Sequence, residues 1–318
     1  GDQIKGIITE SKSGRQAILA KRVVDATGDA DVAYRAGAPC RETPRNEMMG
    51  VTVMFSCAGV DRERFLAYVH ENPSTYGDWG GNWKKEMPAE TASMFSTYLE
   101  EPFNRAREDG LIPADLTSIG GSWSSLTDAG EATNLNMISI TDCDCTDVWD
   151  LTDAEMEGRR LAMLAIEALR AYAPGFENAR LRNFGMTLGT RDSRKIVGRY
   201  NLTGDDVRNQ ARFEDSVGIF PEFLDGYGVL MLPTTGRYFQ VPYGVTVPQR
   251  VENLLVAGRC TAGDKISHAA MRNQMACTVT GQGAGVAAAV SLKDGVTCRE
   301  VDVERLQGAL KRQGVRLF

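Results

Sequence analysis

Two apolar runs in the sequence end alike, in small residues followed by a charged residue. The first is VVDATGD at 23–29, and the second is LLVAGRC at 254–260. Runs of this kind are typical of buried parallel strands, whose carboxyl ends meet at one edge of a sheet, where α/β folds bind ligands. A glycine at each strand end lets a ligand approach the backbone closely. The two runs therefore predict neighbouring strands of one parallel sheet, with a ligand crevice at their ends.

The segment 274–292, QMACTVTGQGAGVAAAVSL, predicts a helix of very small residues. Glycine and alanine at so many positions permit close packing on a sheet or on a cofactor, and tight packing between two protein elements explains the same composition. The first turn of a helix presents free N–H groups and the positive end of the helix dipole, which suit an anionic or electron-rich group. The residues alone leave both interpretations open.

Composition and charge narrow the class of protein. The chain has 318 residues, 42% of them hydrophobic and 25% charged, as in ordinary globular proteins, and its length predicts two domains. A formal net charge of −6 without a clustered basic face argues against nucleic acid as a partner. We expect no uncharged apolar run of the roughly 18 residues that a membrane-spanning helix needs, and so no membrane partner and no signal peptide.

The cysteines do not form the pattern of a secreted disulfide framework. There are seven, an odd number, and they are scattered along the chain, which favours a reducing cytoplasm. The one close pair, Cys143 and Cys145, is a CxC and not a CxxC. Only two histidines, His70 and His268, exist to complete a metal site, so we predict none.

Periodicity and turn residues predict the elements that position these segments. Residues 3–9 and 16–25 predict a β-hairpin whose second strand leads into the turn at 26–29, and 133–142 alternates as a strand does. Thr152, followed three residues later by Glu155, predicts the start of a helix. Helices are predicted at 61–70, 93–109, 152–173, 274–292 and 301–312, and a loop containing Trp79 and Trp83 is predicted at 71–92.

Three segments carry a family resemblance. The string NLLVAGRCTAGDKISHAAMRNQMACTVTGQGAGVAAA at 253–289 resembles the C-terminal flavin-binding segment of the FAD-dependent oxidoreductase family, within the glutathione-reductase-like superfamily. VVDATGDADVAYRAGAP at 23–39 resembles the ATG motif of that family, and LGTRDSRKIVGRYNLTGDDV at 188–207 resembles its Arg-rich segment. The three occur in the family's order and together span most of the chain.

The resemblance implies an α/β fold: an incomplete Rossmann-like FAD-binding domain of the GR2 type with an inserted α+β substrate or cap domain. The FAD-binding domain would be discontinuous, formed by 1–48 and 245–292. Residues 49–244 would form the substrate or cap domain, and 293–318 a C-terminal helix.

The resemblance also implies which residues contact FAD. They lie at the two strand ends and in the first turn of the small-residue helix: Ala26, Thr27, Gly28, Gly258, Arg259, Gln274, Met275 and Ala276. The first three would lie beside the dinucleotide, the next two would approach the phosphate and ribityl portion, and the last three would face the pyrimidine edge of the isoalloxazine ring. A helix dipole there stabilises the negative charge that accumulates on reduction.

Four further residues are candidates for the reaction itself. Arg272 matches a family arginine just before the helix and would hold flavin or an anionic substrate, unless it forms a surface salt bridge. His268 would act as a general base, or it satisfies a backbone carbonyl as a buried histidine. Arg191 and Arg194 match positions of the Arg-rich segment and would contact substrate, or tie the inserted domain to the FAD domain.

The sequence departs from the family pattern in one respect. A dinucleotide-binding fold needs G-x-G-x-x-G after its first strand and an acidic residue about 20 positions later. The chain contains no such sequence, and the glycines of GQGAG at 281–285 fall inside a predicted helix. We therefore expect a fragment that lacks the N-terminal βαβ unit, that binds no FAD alone, and whose exposed sheet edge invites dimerisation or disorder.

The reaction class implied is oxidation of a small organic substrate, a dehydrogenase or oxidase reaction with hydride transfer to FAD. One alternative is a non-catalytic fragment, or a subunit that needs a partner chain to complete the FAD site. Another is a flavin monooxygenase or halogenase.

Overall fold

The computed structural model describes residues 2–72, 75, 84–86, 97–233 and 236–318. Trp79 and Trp83, and the first part of the helix predicted at 93–109, lie outside them. The chain divides into two compact units. Unit 1 comprises Gly1–Thr43, Glu86–Thr91 and Asp192–Phe318, and unit 2 comprises Pro44–Lys85 and Ala92–Arg191.

The described strands, in chain order, are β1 (Gly6–Ser11), β2 (Gly14–Leu19), β3 (Val23–Asp25), β4 (Cys40–Glu42), β5 (Phe55–Ala58), β6 (Lys84–Glu86), β7 (Tyr98–Leu99), β8 (Ile119–Ser122), β9 (Ser125–Leu126), β10 (Ala132–Ile138), β11 (Arg180–Phe184), β12 (Arg194–Ile196), β13 (Ser216–Pro221), β14 (Leu224–Gly226), β15 (Val229–Met231), β16 (Tyr238–Pro242) and β17 (Leu254–Val256). The described helices are α1 (Asp31–Arg35), α2 (Arg62–Glu71), α3 (Glu101–Glu108), α4 (Val148–Tyr172), α5 (Gly204–Arg208), α6 (Lys265–Met271), α7 (Gln274–Asp294) and α8 (Val303–Arg312). The mixed α/β composition expected from the sequence is confirmed.

In unit 1, β3 and β17 pair in parallel, with Leu254 opposite Val23 and Val256 opposite Asp25. The prediction that these two apolar runs are neighbouring strands is confirmed. The strand predicted at 16–25 is divided in two: β2 ends at Leu19 because it pairs antiparallel with β1, whereas β3 belongs to a different sheet with β17.

Helix α7 is the central helix of unit 1 and packs against β13, β17, β3 and α8. Its small residues are buried in the unit 1 core, among them Ala276, Thr280, Gly283 and Ala284. By length and composition α7 could cross a membrane, so the expectation of no uncharged run of that length was wrong. Its packing against three strands explains the composition equally well, since a helix packed closely on strands needs small side chains.

Unit 2 is built on an antiparallel sheet in the order β11-β5-β10-β8-β7, with β9 paired to β10. Helix α4 packs against β8, β10 and β11, and its buried alanines and leucines face the unit 2 core. The helix begins four residues before Thr152, because Asp147 caps it by accepting hydrogen bonds from the N–H groups of Trp149 and Asp150. Thr152 instead bonds the carbonyl of Val148 inside the helix.

The units divide the predicted substrate domain, 49–244. Most of its first part, to Arg191, falls in unit 2, whereas Glu86–Thr91 and the residues from Asp192 onward fall in unit 1. The physical reason is that β12 pairs with β4 of the N-terminal segment, and β13 packs against α7 and α8. The assignment of FAD binding to 1–48 and 245–292 stays a prediction.

Candidate functional site

The turn after β3 is fixed by a buried carboxylate. Asp25 is 1% exposed and accepts hydrogen bonds from the N–H of Thr27 at 3.0 Å, the hydroxyl of Thr27 at 2.7 Å and the N–H of Ala33 at 2.8 Å. These bonds join the strand end to the first residues of α1. The ATG turn is therefore set by Asp25, a residue that the sequence interpretation treated only as part of the strand.

Arg259, from the turn after β17, lies against Gly28. Its guanidinium forms an ion pair with Asp29 at 3.0 Å, and Ser193 donates a hydrogen bond to the same carboxylate. Gly28 has φ +87°, and a Cβ placed on it would come within 2.5 Å of Nη2 of Arg259. The structure thus brings together the two predicted strand ends, with Arg259 across the turn of the first.

Gly258 leaves open space at the end of β17. Its φ is +84°, a left-handed backbone that favours glycine, and the nearest atom to a Cβ placed there would be Sγ of Cys277 at 3.9 Å. The N–H of Gly258 donates to the Thr280 hydroxyl of α7 at 3.0 Å. This bond holds the strand end beside the first turns of that helix.

The first turn of α7 has no side-chain cap. The amide of Asn273, the residue before the helix, donates instead to the carbonyls of Ala269 and Ala270 at the end of α6. Gln274 and Met275 are exposed, whereas Ala276 is buried. Of the three predicted positions, two therefore present their side chains to solvent and the third contributes only its backbone.

Arg272 is part-buried and anchors a neighbouring hairpin. Its Nη2 donates to the backbone carbonyl of Asp225 and to the Asp225 carboxylate at 2.9 Å, whereas its buried Nε has no hydrogen-bond partner among the described residues. Arg272 therefore forms a salt bridge, the alternative that the sequence left open, and it does so through Nη2. The unsatisfied Nε is a donor that a bound group could use.

A buried cluster of titratable groups lies around Asp192, and His268 is part of it. The Asp192 carboxylate pairs with Nζ of Lys195 at 2.6 Å, accepts a hydrogen bond from the Tyr227 hydroxyl and lies 3.7 Å from Nε2 of His268. Asp192, Lys195 and His268 are each no more than 4% exposed. The sequence predicted a role for His268 but not for the other three, although Asp192 and Lys195 lie within the Arg-rich segment at 188–207.

The cluster keeps Asp192 ionised. Burial acts to raise the pKa of its carboxyl, but Lys195, His268 and the hydrogen bonds from Lys195 and Tyr227 outweigh burial and lower the pKa from its ordinary value of 3.8. Burial and the neighbouring Asp192 charge raise the pKa of Tyr227, so its hydroxyl stays a donor.

Arg191 and Arg194 have different surroundings. Arg191 lies in unit 2, where it donates to the carbonyl of Gly50 and the side chain of Asn136. Arg194 lies in unit 1 and is buried, with bonds to the Asp29 carbonyl at 3.1 Å and the Asp31 carboxylate at 2.6 Å. Its bonds support the ATG turn, and a substrate role for either arginine stays a prediction.

The arrangement suits an anionic or electron-rich ligand. The glycine turns after β3 and β17 allow close approach of a ligand, the uncapped start of α7 offers N–H groups and a positive dipole end, and Arg259 and the Nε of Arg272 add cationic donors. No curated protein and no solved structure gives a significant match to the chain. The family model described as FAD dependent oxidoreductase matches residues 1–310. The chain therefore belongs to the FAD-dependent oxidoreductase family, and FAD is the cofactor that this family implies.

Proposed function

We propose that the chain is part of a dehydrogenase or oxidase that removes a hydride from a small organic substrate. The observation that carries this proposal is the family match over residues 1–310 together with the parallel strand ends of β3 and β17, which present glycine turns next to the start of α7. FAD, when bound, supplies the two-electron acceptor.

The strand ends and α7 would hold the cofactor. Ala26, Thr27 and Gly28 form a turn small enough for a dinucleotide to lie against, and Gly258 leaves the space that a larger residue would fill. The N–H groups at the start of α7 would stabilise negative charge on the ring they face, because they lie at the positive end of the helix dipole.

His268 and Arg272 would serve the substrate. Nε2 of His268 faces the Asp192 carboxylate at 3.7 Å, where it would hold a proton taken from the substrate, and its burial excludes water from the imidazole. Arg272 would orient an anionic substrate group through the Nε that the described residues leave unsatisfied. These roles match general acid–base and positioning groups in oxidation of a small molecule.

A partner segment would complete the phosphate site. Val23 donates to the Asn253 carbonyl and Asp25 accepts from the Ala257 N–H, so these two residues face β17, and Val24 between them directs its backbone groups to the other edge of β3. Val24 is 38% exposed. A strand carrying a phosphate-binding loop, from a segment or chain outside residues 1–318, would fit that edge.

Flavin binding tests the proposal. The chain is titrated against FAD, alone and with a polypeptide that carries the family's G-x-G-x-x-G unit, and bound flavin is measured by equilibrium dialysis and visible absorbance. Gly258→Val fills the space at the strand end and should weaken binding at least about tenfold, or about 1.4 kcal/mol. Gly14→Val, at φ +90° in the β1–β2 hairpin with nothing within 4 Å of its Cβ, is the matched control.

Substrate oxidation is tested next, on the complex that binds FAD. Small organic substrates are mixed anaerobically with it, and loss of visible flavin absorbance reports reduction. A complex that binds no FAD, or equal binding by both glycine variants, would contradict the proposed site. Oxygen consumption with a hydroxylated or halogenated product would place the protein in the monooxygenase class instead.

A further inference from the structure

We propose that Asp192 is a positioning residue of the site, whose buried carboxylate holds a negative charge 3.7 Å from Nε2 of His268 and so favours the protonated imidazole. This inference rests on the proposed function only for the catalytic meaning of His268. The geometry of the cluster stands independently of it.

Both oxygens of Asp192 are engaged. Oδ1 pairs with Nζ of Lys195 at 2.6 Å and lies 3.7 Å from Nε2 of His268, while Oδ2 accepts the hydroxyl of Tyr227. With an exposed fraction of 0%, the carboxylate cannot exchange these contacts for water. A carboxylate fixed from two sides gives the imidazole a charged neighbour in one defined position.

Lys195 is the cation of this ion pair, and further hydrogen bonds hold it in place. Besides the carboxylate, its ammonium group donates to the carbonyl of Ser193 at 3.1 Å and to the hydroxyl of Thr43 at 3.4 Å. The ammonium group has three N–H donors, and these three oxygen atoms of the protein accept all of them. The cation is therefore fixed beside the carboxylate that faces His268, and the two charges have opposite effects on protonation of the imidazole.

Tyr227 joins the cluster from a strained turn. It occupies the two-residue connection between β14 and β15 together with Gly228, and both have positive φ, 55° and 73°. Such a turn prefers asparagine or glycine at the first position, and a left-handed tyrosine is costly. The bond to Asp192, with the Arg272 to Asp225 contacts that hold the same hairpin, offsets this cost.

The charges predict opposite effects for two substitutions. Removing the Asp192 charge leaves the Lys195 cation of this ion pair uncompensated, which disfavours a protonated imidazole at His268. Removing the Lys195 charge leaves the Asp192 anion uncompensated, which favours a protonated imidazole. Of the other elements packed against α6, α5 carries Asp205, Asp206 and Arg208, β14 carries Asp225, the turn after β17 carries Arg259 and Cys260, and α7 carries Cys277. Arg272 ends α6 itself. These groups stay the same in both variants.

The test uses the fact that the chain has two histidines, His70 and His268. The protein is labelled in histidine, and both ring titrations are followed by NMR in wild type, Asp192→Asn and Lys195→Gln. We expect the pH midpoint of His268 to fall by about 1 unit or more in Asp192→Asn and to rise in Lys195→Gln. The pH midpoint of His70, which lies on α2 in unit 2, should stay the same in both variants.

A merely structural role gives a different result. If the substitutions only loosened the cluster, the pH midpoint of His268 would shift in the same direction in both variants, toward the midpoint of a free imidazole. Asp294→Asn, which removes an ion pair with Arg305 at the far end of α7, is the control and should leave the His268 midpoint unchanged. If one of the two fails to fold, Asp192→Ser or Lys195→Met replaces it, so that the directions of two charge-removing variants are still compared.

The NMR result is independent of the proposed oxidoreduction. In a complex that turns over, Asp192→Asn should shift the pH profile of kcat in the direction of the His268 midpoint, with FAD affinity within about twofold of wild type. A shifted midpoint without any FAD-dependent turnover would overturn the proposed function and keep the positioning role. A midpoint unchanged in both variants would overturn the positioning role and leave the proposed function intact.

Discussion

Arg259 lies across Gly28, so that a Cβ on that glycine would meet Nη2 of the arginine at 2.5 Å. The contact joins the turns that follow β3 and β17, and the same guanidinium pairs with Asp29. The position requires glycine for two separate reasons, the left-handed backbone and the close guanidinium. A substitution should therefore cost more than the backbone conformation alone explains.

Gly28→Ala should lower the free energy of unfolding by more than the roughly 1–2 kcal/mol of a left-handed backbone, because the added methyl also displaces Arg259. Gly14 has a similar φ, but a Cβ placed on it would have open space around it. Gly14→Ala should therefore lower the free energy of unfolding only by the cost of the left-handed backbone. Urea denaturation of both variants gives the comparison. An equal loss in the two would mean that the contact with Arg259 yields easily to a methyl group.

Asp25→Ala should destabilise the chain by on the order of 3 kcal/mol. The substitution leaves the buried N–H of Ala33 and the donors of Thr27 without their acceptor, and each unsatisfied buried donor costs about 1–3 kcal/mol. Asp302→Ala removes an exposed cap of α8 and should cost only about 1 kcal/mol. Urea denaturation compares the two, and similar losses would show that Asp25 acts as an ordinary helix-cap or turn residue.

The pairing of β3 with β17 was predictable because apolar strand character and a glycine turn are local properties of each run. The helix at 274–292 was predictable for the same reason, to within two residues at its end. The start of α4 was not: Thr152 and Glu155 match a cap pattern, but Asp147 caps the helix one turn earlier. Asp147 and Thr152 can both cap a helix, they lie five residues apart, and the neighbouring sequence does not show which of them does so.

The cluster around Asp192 could not be predicted from spacing. Tyr227 lies 35 residues along the chain from Asp192, and His268 is further still, so their meeting depends on how the β14–β15 hairpin and α6 pack. Asp192 and Lys195 follow one another within the Arg-rich segment, but a carboxylate and a lysine three residues apart usually form a solvated pair. Only tertiary packing makes this pair buried.

Thiol labelling should report cofactor binding. Burial raises the pKa of Cys57 and of Cys260 to about 12, so at neutral pH both stay as unreactive thiols. Cys40 and Cys277 are partly exposed and should react with iodoacetamide first. Because Cys277 faces the open space at Gly258, FAD bound to the complex should slow its labelling, with Cys40 unaffected. Mass spectrometry of the labelled peptides measures this, and equal protection of both cysteines would contradict the site.

Acid unfolding should depend on Asp192. Its pKa in the folded chain lies below the ordinary 3.8, because Lys195, His268 and Tyr227 outweigh the effect of burial. As the pH falls, the unfolded chain therefore binds this proton first, so the stabilisation is complete above about pH 3.8 and is lost below it. Asp192→Asn lacks this titration and should lose stability less steeply in that window, by at most about 1.4 kcal/mol per pH unit. Urea denaturation at a series of pH values measures both slopes, and parallel curves for wild type and variant would show that the folded and unfolded chains hold the Asp192 proton equally.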